Sequence, residues 1–403
     1  MIDLIKQISE CVEKHKDDAI QFLQQMIRIP SLSGQEENLS KFLMEKMHTL
    51  QYDSIKLDRL NNVMATIKGS GGGRSLLLNG HLDHVPPGEM LDPYSGRILD
   101  GAVFGVHGKI VYGRGASDMK GALAAMIMAG TVLKDLDLEV KGDLKIAAVV
   151  QEEIGGIGTI ATIEESQFLG DLVVIGEATN MNLALGHRGG VGINVVVKGA
   201  SGHASAPERS INALYKAIDI ISKIKQDLIP KLPEHPIFGK TTLAVTRIEV
   251  KPNASNVIPE ECRFYIDCRN GPDYPAERLK EEIETVINSL KENDKELEAI
   301  VLPSNLLRGV RSFTGFYTDP KTRPVVREVE EALNAVLNRE VKKTVWRFAT
   351  DGRFYHYLGY PVLGFGPCEE RFTHTNMDHI RIEEYLDSIK AYANLACRIC
   401  GLK

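Results

Sequence analysis

The chain has 403 residues, 25% charged and 43% hydrophobic, with a formal net charge of -6. That length accommodates two or three domains and a large core, and the slight negative charge argues against a general nucleic-acid binder. No stretch approaches the about 18 uninterrupted apolar residues of a membrane span, the charged opening lacks the apolar centre of a signal peptide, and six scattered cysteines point to reduced thiols and a cytoplasmic location.

In chain order, Ile20, Leu23, Met26 and Ile27 recur at helical spacing until Pro30 stops the helix. Ser33 with Glu36 has the spacing of a capping box, and Leu39, Phe42, Leu43, Met47 and Leu50 form the buried face of the helix that follows. NVMATIKG and SLLLNGH read as strands. The GSGGGRS between them lacks the lysine ending and following helix of a phosphate loop, so it reads as a flexible hairpin turn. A helix of small and apolar residues, GALAAMIMAGTVL, follows GASDMKG, and DLKIAAVV and DLVVIG are the nearly all-apolar runs of strands covered on both faces. These elements predict an α/β catalytic domain with a mostly parallel sheet.

After GHRGG the pattern changes. VGINVVVKG reads as a strand, SINALYKAIDIISKI as a helix, TTLAVTRIEV and ECRFYIDCR as strands, PAERLKEEIETVINSL as a helix and ELEAIVLPS as a last strand. The order βαββαβ is the ferredoxin-like unit. In ECRFYIDCR, Cys262, Phe264, Ile266 and Cys268 alternate with Arg263, Tyr265, Asp267 and Arg269, as in a sheet covered on one face only. Residues 189–310 are therefore read as a domain inserted between 1–188 and 311–403. Cys397 and Cys400 form a CxxC within a helical tail and, with no second pair, carry no metal assignment.

Polar residues gather at the ends of the apolar strands, where open α/β sheets place their sites. His81 and Asp83 lie two apart on one strand and so share a face, whereas His84 points away. Asp118 sits in a glycine-flanked turn before a helix, Glu152 and Glu153 end a buried strand, Glu177 directly follows VVIG, and His374 and His379 lie in THTNMDHI. Histidines with several carboxylates make a nitrogen and oxygen donor set suited to zinc, cobalt or manganese rather than calcium. A surplus carboxylate beside such a site is what hydrolysis needs as a general base.

GHLDHVP, GRGASDMKG, QEEIGG, GEAT and the late His374, in that order, resemble the motifs of the di-zinc aminoacylase and carboxypeptidase superfamily, which includes acetylornithine deacetylase, succinyl-diaminopimelate desuccinylase and the glutamate carboxypeptidases. The resemblance spans essentially the whole chain. GHRGGVGINVVVKGASGHASAPERSINALYKA and WRFATDGRF are most similar to the hydrolases associated with selenium metabolism. It implies a zinc-peptidase-like catalytic domain with an inserted ferredoxin-like lid and dimerisation domain.

The resemblance implies two divalent metal ions, with His81 and Glu177 on one, Glu153 and His374 on the other, and Asp118 bridging both through a strained or cis peptide to Met119. It implies Glu152 as general base, acting on a water held between the cations, and Asp83 as the clamp of the His81 imidazole. The lid motif GxxxHxxxPxxxxNA implies that His203 stabilises the oxyanion in the neighbouring subunit of a homodimer joined through its lids. ATDGRF resembles the desuccinylase segment whose arginine, here Arg353, grips a substrate carboxylate, and Asn256 matches a cleft position. Arg188, in HRGG at the domain junction, is a further candidate as a hinge or substrate-cleft residue. The expected activity is cleavage of an amide or peptide bond in a small carboxylate-bearing substrate, with a ureido or carbamoyl hydrolase as the alternative and a non-catalytic scaffold as a remote one. Two departures stand out: Asp378 replaces the glutamate usual in the family, and Cys368 lies near the His374 loop as a buried thiol.

Overall fold

The computed structural model describes residues 2–303 and 315–403, divided into two compact units. The first comprises residues up to Gly186 with Thr318–Thr344 and Thr350–Lys403. The second comprises His187–Tyr317 with Val345–Ala349. The expected return to the first domain at residue 311 lies outside the described residues.

The first unit opens with helices α1 (Ile2–Lys14), α2 (Lys16–Arg28) and α3 (Glu37–Thr49), followed by strands β1 (Ser54–Leu57), β2 (Val63–Ile67) and β3 (Leu76–His81). Next come β4 (Arg97–Asp100), β5 (Lys109–Tyr112), α4 (Gly121–Asp135), β6 (Leu144–Val149), α5 (Ile157–Glu164), β7 (Leu172–Ile175) and β8 (Leu183–His187). The second unit supplies β9 (Gly189–Lys198), α6 (Ala213–Lys223), β10 (Thr242–Lys251), β11 (Glu261–Asn270), α7 (Ala276–Lys291) and β12 (Glu298–Pro303). The chain then adds α8 (Val325–Leu337), α9 (Gly352–Tyr357), β13 (Val362–Gly364), β14 (His379–Arg381) and α10 (Ile382–Cys400) to the first unit.

The main sheet of the first unit runs β1-β2-β6-β3-β7-β13-β8. Its centre, β6-β3-β7-β13, is parallel, and β1 and β2 add an antiparallel flank. Every residue of β2, β3 and β7 is buried, which is why these strands read as unbroken apolar runs. Helix α4 is buried from Gly121 to Leu133 and packs against α10, which also meets α1 and α8. Its Gly130 lies under Tyr52, whose hydroxyl donates to the Ile127 carbonyl at 2.8 Å; a Cβ there would sit 2.3 Å from that oxygen.

Two local readings are corrected. GSGGGRS is not a hairpin turn, because β6 lies between β2 and β3 in the sheet. Two of its glycines serve close packing: a Cβ on Gly73 would lie 2.2 Å from the Cys400 carbonyl, and one on Gly69 2.3 Å from that of Lys141. Ser33 and Glu36 do not form a capping box either. Helix α3 has no side-chain cap, and both side chains are drawn to other partners described below.

The second unit is a four-stranded antiparallel sheet ordered β10-β11-β9-β12, the ferredoxin-like arrangement. Cys262, Phe264, Ile266 and Cys268 are buried against Ala213, Ala217 and Ile220 of α6 and Leu279 and Ile283 of α7. Among the described residues no helix is long and apolar enough to cross a membrane.

Candidate active site

Strands β6, β3 and β7 lie side by side and parallel, so their C-terminal ends open onto one edge of the sheet. His81 ends β3, Glu152 and Glu153 follow β6, and Glu177 follows β7. Asp118 comes from the turn between β5 and α4, and His374 from the loop before β14. A small sheet, β14-β5-β4, unites these last two: His379 pairs with Tyr112, so the His374 loop runs beside the Asp118 turn.

The side chains converge closely. His81 Nε2 lies 3.0 Å from Asp118 Oδ1 and 3.4 Å from Glu177 Oε1. His374 Nε2 lies 2.9 Å from Asp118 Oδ2 and 3.0 Å from Glu153 Oε1. Two triads, His81 with Asp118 and Glu153, and His81 with Glu152 and Glu177, each bring one donor atom per residue within 4.8 Å of the others. The Asp118–Met119 peptide is cis. Met119 then lies over the sheet, where a Cβ on Gly80 or on Gly176 would stand 2.6 Å from its Cε. The glycines of NGH and VIGE thus leave room for the Met119 side chain.

Electrostatics set these groups apart from surface residues. Burial opposes ionisation of Asp118, but contacts with His374 and His81 outweigh it and hold the carboxyl well below its usual range. Burial likewise opposes a proton on His81, yet Asp118 and Glu177 raise its pKa well above normal. Asp118 and Glu153 raise His374 to about 10. Glu177 is pushed up to about 7 by burial and the Asp118 charge. Glu152 is driven well above normal by burial, then by the charges of Asp351 and Glu177. This many buried acids in one place calls for cationic charge, and the nitrogen and oxygen donors fit divalent zinc-class ions.

Asp83 acts differently from the carboxylate clamp expected. The His81 Nδ1 meets the Asp83 main-chain carbonyl at 2.8 Å, while the nearer carboxylate oxygen stays 3.6 Å away. The carboxylate instead accepts the main-chain N–H of Glu152 (3.0 Å) and Glu153 (3.2 Å) and the Ser33 hydroxyl (2.7 Å). Glu36 accepts the Gln151 amide at 3.1 Å and Asn62 the Val150 amide at 2.9 Å. Four successive amides, Val150 to Glu153, therefore each end on a side chain. This holds Gln151 in the left-handed region (φ 57°). The sequence marks Glu36 only by its capping-box spacing, and Asn62 by nothing.

Asp378 is fully buried and accepts hydrogen bonds from Gly115 N and Ser117 N at 2.7 Å each and from Arg114 at 3.2 Å. It ties the His374 loop to the turn that carries Asp118. Cys368 is buried, its Sγ 3.6 Å from the Ala116 carbonyl in that turn. His84 is a buried structural imidazole: Nδ1 donates to the Val85 carbonyl and Nε2 accepts the Ser31 amide at 3.0 Å.

Asp351, within ATDGRF, also borders the site. It is buried, accepts the Thr159 hydroxyl at 2.6 Å and bears electrostatically on Glu152. Arg353, buried at the start of α9, donates to the Thr350 carbonyl at 2.9 Å and the Gly155 carbonyl at 3.4 Å, and lies 3.8 Å from Asp351. In the second unit, the Asn256 carbonyl accepts the Ala204 amide at 3.0 Å, beside a short antiparallel pairing of Gly202–His203 with Val257–Ile258. His203 is exposed, its Nδ1 2.7 Å from the Ser205 hydroxyl. Arg188 donates to the carbonyls of Lys240 and Arg269, both at 2.8 Å.

Comparison with known proteins agrees with this architecture. The M20 "Peptidase dimerisation domain" profile matches residues 185–295, and the "Peptidase family M28" profile matches residues 62–234, stopping partway through the inserted unit. Full-length similarities decide between the two. The chain is 30% identical over 385 residues to the uncharacterized protein YgeY of Escherichia coli K12, covering 92% of this chain and 91% of that one. It is 28% identical over 402 residues to succinyl-diaminopimelate desuccinylase of Xanthomonas campestris pv. campestris, covering 95% and 99%. The Bacillus subtilis YxeP protein, described as a dinuclear metal binding peptidase of the M20 family, superposes with a TM-score of 0.73 at 17% identity over 95% of this chain and 98% of that one. With the inserted dimerisation domain and relatives matching from end to end, the chain belongs to the M20 family of metallopeptidases, as a metal-dependent amidohydrolase.

Proposed function

We propose that this protein hydrolyses the amide or peptide bond of a small carboxylate-bearing substrate, an N-acyl amino acid, N-succinyl amino acid or dipeptide, using two divalent cations. Zinc is the first choice, and cobalt or manganese suits the same donors. The observation that carries the reading is the position of Asp118, whose two oxygens contact two different histidines, His81 and His374. His81 and Glu177 would hold one cation, His374 and Glu153 the other, and Asp118 both. The desuccinylase and the dinuclear metal binding peptidase among the similar proteins support the same reading.

When bound, the cations polarise the scissile carbonyl and make water acidic enough to attack near neutrality. Glu152 takes the proton of the attacking water and returns it to the leaving amine. Asp83, Glu36 and Asn62 hold the backbone from Val150 to Glu153 in place. Arg353 is assigned to the substrate carboxylate, which a planar guanidinium grips with two parallel bonds. Asn256 and Arg188 are assigned to the substrate cleft. His203 is assigned to the oxyanion in trans, within a homodimer joined through the lids. Six unpaired, buried cysteines support a reducing, cytoplasmic setting.

The test is Glu152→Gln, in metal-free protein reloaded with zinc, cobalt or manganese. The variant should keep two equivalents of metal and lose nearly all turnover of N-acetyl and N-succinyl amino acids and dipeptides. Near-normal turnover would remove Glu152 from its role. Wild-type turnover confined to ureido acids in the same screen would replace the amide reading with the ureido one.

A further inference from the structure

A second group of metal-type donors stands where α1 meets α2. Cys11 lies in the last turns of α1 and His15 four residues on, at the N-cap of α2. The His15 amide donates to the Cys11 carbonyl at 3.1 Å, so the helical turn continues through both and their side chains share a face. Asp135, the last residue of α4, approaches from the neighbouring helix. One sulfur, one ring nitrogen and one carboxylate oxygen lie within 4.8 Å of one another. His15 Nε2 is 2.5 Å from Asp135 Oδ2, yet this buried nitrogen has no partner in hydrogen-bond geometry among the described residues. The other nitrogen, Nδ1, faces Asp18 Oδ2 at 3.9 Å. Cys11 is buried and Asp135 exposed, so the group opens to solvent on its carboxylate side.

We propose that Cys11, His15 and Asp135 form a mononuclear site for a zinc-class divalent cation, additional to the dinuclear centre. Thiolate and imidazole donors select zinc or cobalt over magnesium and calcium. Three protein donors leave one tetrahedral position for water, supplied from the Asp135 side. Asp18 is placed to take the imidazole Nδ1–H, directly or through a water, as outer carboxylates do for metal-bound histidines. On binding, the Cys11 S–H bond breaks, the proton leaves to solvent and a sulfur–metal bond forms. The cation then ties the end of α1 to the end of α4. Cys11, His15 and Asp135 lie outside every motif singled out in the sequence.

Cobalt tests the proposal independently of activity. A thiolate–cobalt bond gives a near-ultraviolet charge-transfer band, and none of the donors His81, Asp118, Glu153, Glu177 and His374 carries sulfur. Metal-free full-length protein titrated with Co2+ should develop this band. Cys11→Ser should abolish it and bind one equivalent less, His15→Ala should also abolish it, and Cys368→Ser should retain it. Circular dichroism of each variant confirms the fold. A wild-type protein without the band, or a band and stoichiometry unchanged by Cys11→Ser, would overturn the site.

Discussion

Asp83 Oδ1 accepts the main-chain N–H of Glu152 at 3.0 Å, and Oδ2 accepts that of Glu153 at 3.2 Å. One buried carboxylate thus spans the two residues assigned as base and ligand. Asp83→Ala leaves two half-buried amides without acceptors and frees the turn, and kcat should fall about 10- to 100-fold, as for other residues that orient a metal site. Asp83→Asn keeps one acceptor oxygen and should fall between the variant and wild type. Steady-state kinetics with metal analysis decide the point: an unchanged kcat in Asp83→Ala at full metal content would sink the positioning role.

His81 and His84 should differ in kind. His81→Ala removes a donor within 3.4 Å of both Asp118 and Glu177, and should lower metal content and abolish most turnover. His84→Ala should keep the metal but destabilise the fold by about 1–3 kcal/mol, because the buried Ser31 amide loses its acceptor. Elemental analysis and urea denaturation of both variants check this. Equal metal loss would contradict the assignment.

Removing Asp378 should be more costly than its distance from the reacting bond implies. Asp378→Ala orphans Gly115 N and Ser117 N and leaves the buried Arg114 without its carboxylate. A loss of about 3–5 kcal/mol is expected from breaking one side of such a buried pair. Denaturation of the metal-free protein measures this without the contribution of bound cations. A loss below about 1 kcal/mol would show that the turn holds without this clamp.

His84 should also make a distinct contribution to acid sensitivity. Burial, then the charges of Lys120 and Arg114, depress its pKa to about 4. In the unfolded chain it titrates near about 6.5. Between these values the unfolded chain binds a proton that the folded chain refuses, so the contribution is complete above about pH 6.5 and is lost as pH falls toward 4. The difference amounts to about 3 kcal/mol across that window. In metal-free protein, the stability gap between wild type and His84→Asn should narrow by about 2–3 kcal/mol from pH 7 to pH 4.5. A gap independent of pH would refute it.

Much of the fold could be read locally. Alternation in ECRFYIDCR marks a sheet with one covered face, and Cys262, Phe264, Ile266 and Cys268 are indeed the buried set. The sequence also marks His81, Asp118, Glu153 and Glu177, which stand at the ends of apolar runs or in a glycine-bounded turn, whereas His374 has no such local signal. GSGGGRS was misread because a strand's spatial neighbour need not be its neighbour in sequence: β6, contributed some eighty residues after β2 begins, enters between β2 and β3. Ser33 and Glu36 had the spacing of a cap, but spacing does not show which amide a side chain will meet. Asp83 and the Gln151 amide outcompete the helix for them.

By itself, the sequence determined the two architectures and the residue types that gather at the strand ends, because periodicity and turn chemistry are properties of short segments. The strand period expected to separate His81 from His84 does not reach that far, because β3 ends at His81, and the two imidazoles differ instead by their contacts. Only the tertiary structure decided which groups hold those residues still. The amides of Val150 to Glu153 find acceptors from Asn62, Glu36 and Asp83, and the Asp118 turn is bound by Asp378, some 260 residues away. Such partners depend on where a buried N–H points once the chain is packed, and a polar group removed from water must take whatever acceptor the fold brings to it.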